Sequence, residues 1–158
     1  GLTAEVLKDY GHSLGLEFIG PHTSRKGARY GCVYTMDAML AIACAIGTGN
    51  VGLLLDAWHW YTAHGTLEDL KKLDNELVVQ VHINDAPAGI EIDEQLDNIR
   101  ALPGETGVID TAGFLAHLRG IGYDGPVTPE PFCKALNEMP REEAAKTIGA
   151  AMDKIWAL

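Results

Sequence analysis

Apolar positions along this 158-residue chain follow two different periods. Four short runs, in LGLEFIG, NVGLLLDAWHW, ELVVQVHIND and DGPVTPEPF, have the length and composition of β-strands. Between them lie longer segments with helical spacing. The pattern predicts strands over 15–19, 51–56, 77–83 and 126–130, and helices over 3–13, 34–47, 66–74, 93–101, 111–121 and 141–157. Local signals sharpen several boundaries. Thr3 is a candidate N-cap, Thr66 with Asp69 three positions on forms a candidate capping box, and Gly47 and Gly49 suit a helix stop. Pro140 sits well for the start of the last helix. The aromatic stretch after residue 56 reads as a loop.

Strands that alternate with helices imply parallel pairing through right-handed crossovers. Side chains alternate faces every two residues along a strand. Leu16 and Phe18, Leu53 and Leu55, and Val79, Val81 and Ile83 share one parity and should face the helices. The opposite parity carries Gly15 and Glu17, Gly52 and Asp56, and Gln80 and His82. Each strand thus ends on a residue able to bind a divalent cation: Glu17, Asp56, His82 and Glu130. These lie 26 to 48 residues apart along the chain, yet a parallel barrel would bring all four to one rim. The expected fold is α/β, a TIM (β/α)₈-type barrel, with residues 1–158 forming a single domain. A whole barrel typically takes about 250 residues. Four strand–helix units and a leading helix therefore describe about half of one. An isolated half would leave open strand edges. It is expected to be completed by a missing N-terminal half or by self-association.

Composition narrows the reading further. A hydrophobic content of 47% supports a real core, and a net charge of −10 disfavours a phosphate backbone as partner. The only basic cluster, Arg25, Lys26 and Arg29, reads as a loop feature. Three cysteines without CxxC spacing read as reduced thiols. No signal-peptide pattern or membrane-length apolar run is seen, so the expected location is cytoplasmic with no membrane partner.

Two Glu, one Asp and one His make a hard, oxygen-rich donor set. It suits one divalent ion, with Mn²⁺, Mg²⁺ or Co²⁺ favoured and Zn²⁺ compatible. Near the same rim, Trp58, His59, Trp60 and Tyr61 could form an apolar wall over the site. Glu105, in the PGETG turn, is a candidate substrate contact. Asn84 and Asp85 are candidates to hold the ring of His82. No GxxxxGK phosphate loop occurs.

The segments LEF (16–18), DAWHW (56–60), VHIND (81–85), PGETGVID (103–110) and GYDGPVTPEPF (122–132) occur here in order. In this the chain resembles the C-terminal half of the xylose isomerase-like TIM barrels, and among them the sugar phosphate isomerase/epimerase group. The resemblance implies a metal held by Glu17, Asp56, His82 and Glu130. It implies that Glu17 and Glu130 also move the proton, and that His59 contacts a sugar or polyol. An arginine common six residues after the metal-binding His is replaced here by Ala88, and Arg100 is the candidate substitute. The implied reaction is isomerisation or epimerisation by proton transfer through a metal-stabilised enediolate. A dehydratase or lyase on a keto-sugar or keto-cyclitol is the alternative within the same group, and a non-catalytic half-barrel lies outside it. Abasic-site endonuclease chemistry, also housed on this fold, is disfavoured by the acidic surface.

Overall fold

A computed structural model describes residues 1–158. Helix α1 (Leu2–Asp9) precedes β1 (Leu14–Leu16), followed by α2 (His22–Arg25) and α3 (Met36–Ile46). Then come β2 (Val51–Asp56), α4 (Ala57–Thr62), α5 (Leu67–Leu70) and β3 (Val78–Ile83). Helix α6 (Thr111–Gly120), β4 (Val127–Pro129), α7 (Lys134–Glu138) and α8 (Arg141–Trp156) complete the chain. The four strands form one parallel sheet in sequence order, the topology of a partial barrel. No helix is long and apolar enough to cross a membrane.

The helix-facing side of the sheet is the core. Leu53, Leu55, Val81 and Ile83 are all 0% exposed. Each such side chain contributes roughly 1.5–3 kcal/mol relative to exposure. Against them pack Trp60 of α4 and Phe114 of α6, whose ring centroids lie 5.4 Å apart, and Ile155 of α8. The opposite, concave side is only half-buried at Gly15, Leu54 and Gln80.

One parity expectation is corrected. Leu53 pairs with Val78 while Leu54 pairs with Gln80, so Val79 is an extra residue in β3. Such a bulge shifts the facing of its strand. Val78, 5% exposed, takes the core place expected for Val79, and Val79 stands over Gly15 and Gly52.

Several boundaries also move. The first helix is capped by Gly1 instead of Thr3. The aromatic stretch 57–62 is helical because the Asp56 side chain accepts the Trp58 N–H at 2.7 Å and starts a turn there. Residues 93–101 form only a short 3₁₀ turn at Ile92–Glu94. The Gln95 amide donates to the Pro87 and Ile90 carbonyls, both at 3.1 Å, and ties this segment back on the preceding loop in place of a helix. The Thr66–Asp69 capping box and the left-handed stop at Gly47 form as expected.

Candidate metal centre at the strand ends

The sheet ends in a polar cluster. Asp56 closes β2 and pairs in register with His82 of β3. Glu17 and Glu130 lie one residue beyond the short edge strands β1 and β4. Glu130 remains tied to the sheet, since its N–H donates to the Ile83 carbonyl at 3.0 Å. Glu17, Asp56, His82 and Glu130 each offer one donor atom, and these atoms lie within 4.8 Å of one another. The structure thus brings together four side chains that are far apart in sequence.

The four differ in how they are held. Asp56 is fully buried. Its Oδ1 accepts from the Trp58 N–H and, at 3.0 Å, from the Asn84 amide, while Oδ2 accepts from Arg100 Nη1 at 2.7 Å. Burial alone would oppose its ionisation. The Arg100 charge, His59 and these hydrogen bonds outweigh burial and hold the carboxyl below its usual range. Glu17 has no such support. Burial, then the Asp56 and Glu130 charges, push its pKa up to about 7. Its Oε1 is buried and has no hydrogen-bond partner.

Arg100 sits in the cluster at 3% exposure. Its Nη1 donates to both Asp56 Oδ2 and, at 2.8 Å, Glu130 Oε2. Its Nη2 donates to Asp97 Oδ1 at 2.8 Å, and its Nε donates to the Asp97 carbonyl at 3.1 Å. These carboxylates keep Arg100 firmly protonated despite its burial. Asp97, which the sequence reading did not single out, is the clamp that fixes this arginine. Its spacing of three from Arg100 was the only available signal.

His59 is buried among these groups, and burial first of all lowers its pKa, so it is neutral. The Gly20 N–H donates to its Nδ1 at 3.2 Å, which leaves the proton on Nε2. That Nε2 lies 3.5 Å from Arg100 Nη2, itself a donor, and 3.9 Å from both Glu17 Oε1 and Asp56 Oδ2. Gly20 must be glycine for this approach, because a Cβ there would strike the His59 carbonyl.

Other candidates fall elsewhere. Trp58 is fully buried, with the Arg100 guanidinium 5.3 Å from its ring, so it offers no open face to solvent. The exposed aromatic at this rim is Phe132, 45% exposed and 4.6 Å from the same guanidinium. Glu105 is exposed and caps its own turn, its Oε2 accepting the Leu102 N–H at 2.8 Å. It is not among the four clustered side chains. Asp85 is fully buried and serves the backbone: its carboxylate accepts the N–H groups of Ala86, Thr106, Gly107 and Ile109 at 2.7–2.9 Å. Asn84 is bound to Asp56. Neither residue holds His82. The group beside that ring is Gln80, 3.0 Å from its Nε2.

The donor chemistry fits a divalent cation. Four carboxylates, Glu17, Asp56, Glu130 and Asp97, gather around one guanidinium and leave three negative charges when all are ionised. Two donor atoms, Glu17 Oε1 and His82 Nδ1, are buried without partners. Unpaired buried polar atoms are costly, and a cation at their focus would satisfy both.

Comparison with known proteins places this geometry in context. The profile of the xylose isomerase-like TIM barrel family matches residues 2–155. An inosose isomerase of Halalkalibacterium halodurans is 33% identical over 147 residues, covering 91% of this chain and 48% of that protein. A 3-dehydroshikimate dehydratase of Pseudomonas putida is 26% identical over 139 residues, covering 82% of this chain and 22% of that protein. Among solved structures, a xylose isomerase domain protein of Alicyclobacillus acidocaldarius superposes with a TM-score of 0.85 at 37% identity, over 98% of this chain and 54% of that one. The IOLI protein, crystallised with a bound zinc atom, superposes with a TM-score of 0.81 at 28% identity, over 96% of this chain and 51% of that one. The chain spans about half the length of the inosose isomerase it matches.

Proposed function

Because this chain belongs to the xylose isomerase-like TIM barrel family, we propose that it carries the metal-binding half of an isomerase or epimerase acting on a sugar or polyol. The observation that carries this reading is the cluster of Glu17, Asp56, His82 and Glu130, with two of its donor atoms buried and unpartnered. The inosose isomerase and the zinc-bound IOLI protein support it. When bound, a divalent cation supplies Lewis-acid stabilisation of charge developing on the substrate's carbonyl and hydroxyl oxygens.

The chain's own residues supply the proton path. The Glu17 pKa is pushed up to about 7 without a cation, and a bound cation would favour its ionised form, the form that can take a proton. Glu17 removes the proton from the carbon beside the carbonyl. Glu130, on the other edge of the site and oriented by Arg100, delivers or accepts the second proton. The His59 Nε2–H orients a substrate oxygen, and Gly20 keeps that proton on Nε2. Phe132 gives the ring an apolar face.

The working enzyme also needs the rest of its barrel. Strands β1 and β4 each have one open edge. Leu2 of α1 lies beside Leu14 of β1 and Trp156 of α8 beside Val127 of β4, both at least 48% exposed. Further strands, from a longer chain or a second copy, would cover both flanks.

A second reading, elimination of water from a keto-cyclitol or related keto acid, is favoured by the dehydratase relative alone. Incubation with ketoses and keto-cyclitols in D₂O with added Mn²⁺ separates the two. Isomerisation incorporates deuterium without loss of water, and elimination lowers the product mass by one water. Absence of both exchange and turnover with every substrate, in protein shown to bind the metal, would refute the catalytic reading.

A further inference from the structure

His82 can serve a cation only in one of its two neutral forms. A neutral imidazole has one N–H and one bare nitrogen. The nitrogen facing the cluster is Nδ1, 3.3 Å from Glu130 Oε2 and 4.0 Å from Glu17 Oε1. It must be bare to bind a cation, which requires the proton on Nε2 and an acceptor beside it. The only side chain at Nε2 is the amide of Gln80, whose nitrogen lies 3.0 Å away and in this orientation donates to a bare Nε2, so an Nε2–H requires the amide to turn over.

A primary amide can meet that nitrogen in two ways. Presenting its NH₂ group demands a bare Nε2 and puts the proton on Nδ1, where it faces Glu130. Presenting its carbonyl demands an Nε2–H and frees Nδ1. No other protein group bonds to the Gln80 amide, so a half-turn exchanges the two arrangements without breaking another bond. Gln80 and His82 stand two residues apart on the same side of β3, and the paired strand holds them together. Asp56 and Glu130 have fixed partners of their own. His82 is the ligand whose competence a neighbour can switch.

We propose that Gln80 is a positioning residue: its amide sets the tautomer of His82 and thereby decides whether Nδ1 can take a cation. This rests on the metal reading given above and goes beyond it by naming the group that makes the fourth ligand competent.

The test compares Gln80→Glu, which can only accept at Nε2, with Gln80→Leu, which can do neither. Long-range ¹H–¹⁵N NMR reports the His82 tautomer without added metal, and calorimetry with Mn²⁺ reports affinity. The expected result is an Nε2–H tautomer in Gln80→Glu with binding at least as tight as wild type. Gln80→Leu should show an Nδ1–H tautomer and bind about 10–100-fold more weakly. Two results would overturn the proposal: one His82 tautomer across all three proteins, or equal weakening in both variants, which is the mark of packing alone. If the wild-type protein binds no divalent cation, the metal reading itself fails and takes this proposal with it. If wild type binds and both variants match it, this proposal alone fails.

Discussion

Strand β2 at the centre of the sheet and β1 at its edge hold their terminal carboxylates in opposite ways. Strands β2 and β3 each run six residues, are paired on both sides and bury Leu53, Leu55, Val81 and Ile83 completely. Asp56, at the end of β2, has both oxygens engaged, and its carboxyl is held ionised. Strands β1 and β4 have three residues each and one neighbour apiece. Glu17, just past β1, has an unpartnered oxygen and a pKa near 7. Asp56 at the centre is fixed in its charged form, and Glu17 at the edge is a carboxylate whose proton can move. Structural and chemical duties are thus divided by position in one sheet.

The division is most exposed to substitution at its centre. Asp56→Ala removes the main partner of a buried arginine and should destabilise the fold by about 3–5 kcal/mol in urea unfolding. Stability equal to that of Glu17→Gln would erase the distinction between centre and edge. At the edge, Glu17→Gln should lower turnover by about 10²–10⁴-fold while leaving the fold at least as stable as wild type, because it replaces a carboxylate whose charge is disfavoured there. A matching loss of stability would show that Glu17 is structural.

The same contrast has a pH signature. The folded pKa of Glu17 lies above its ordinary value of 4.5, so between that value and about 7 the folded protein binds more protons than the unfolded chain. Its stabilising effect is complete below the ordinary value and is lost as pH rises through about 7. Without added metal, thermal unfolding should therefore show stability falling by on the order of 1–2 kcal/mol across this window, after allowance for solvent screening. Saturating Mn²⁺ should flatten the slope across this window, since a bound cation favours the ionised carboxylate. An identical slope with and without Mn²⁺ would place Glu17 outside the metal site. The smallest effect belongs far from the rim. Thr66→Ala breaks the capping box of α5 and should cost about 1 kcal/mol of stability with Mn²⁺ affinity unchanged.

What the sequence disclosed followed from periodicity. The two-residue pleat placed Leu53, Leu55, Val81 and Ile83 on the core side and turned Asp56 and His82 the other way. The order of four strand ends was enough to anticipate that Glu17 and Glu130 would join them. Features set by contact between distant segments were not visible. The bulge at Val79 depends on pairing with β2, so a strict parity count misassigned that residue. Helix α4 is only six residues long, too short to display a period, and starts on a side chain the sequence reading had reserved for metal. The Asp97 clamp belongs to an irregular segment whose shape follows from Gln95 bonding back to Pro87 and Ile90. The partner of His82 was sought downstream at Asn84 and Asp85, whereas it lies two residues upstream on the same face.

The Asp85 carboxylate has a consequence for reshaping this protein. It grips the strap at 106–109 by peptide N–H groups, without calling on the side chains of Glu105 or Val108. Position 105 can therefore be varied at the cost of its own bond to the Leu102 N–H, and position 108 among apolar residues that keep its packing on the core. Gly107 cannot join them, because its φ of 70° excludes most other residues. Diversity for new substrate preferences can be introduced beside the rim while a single aspartate keeps the frame.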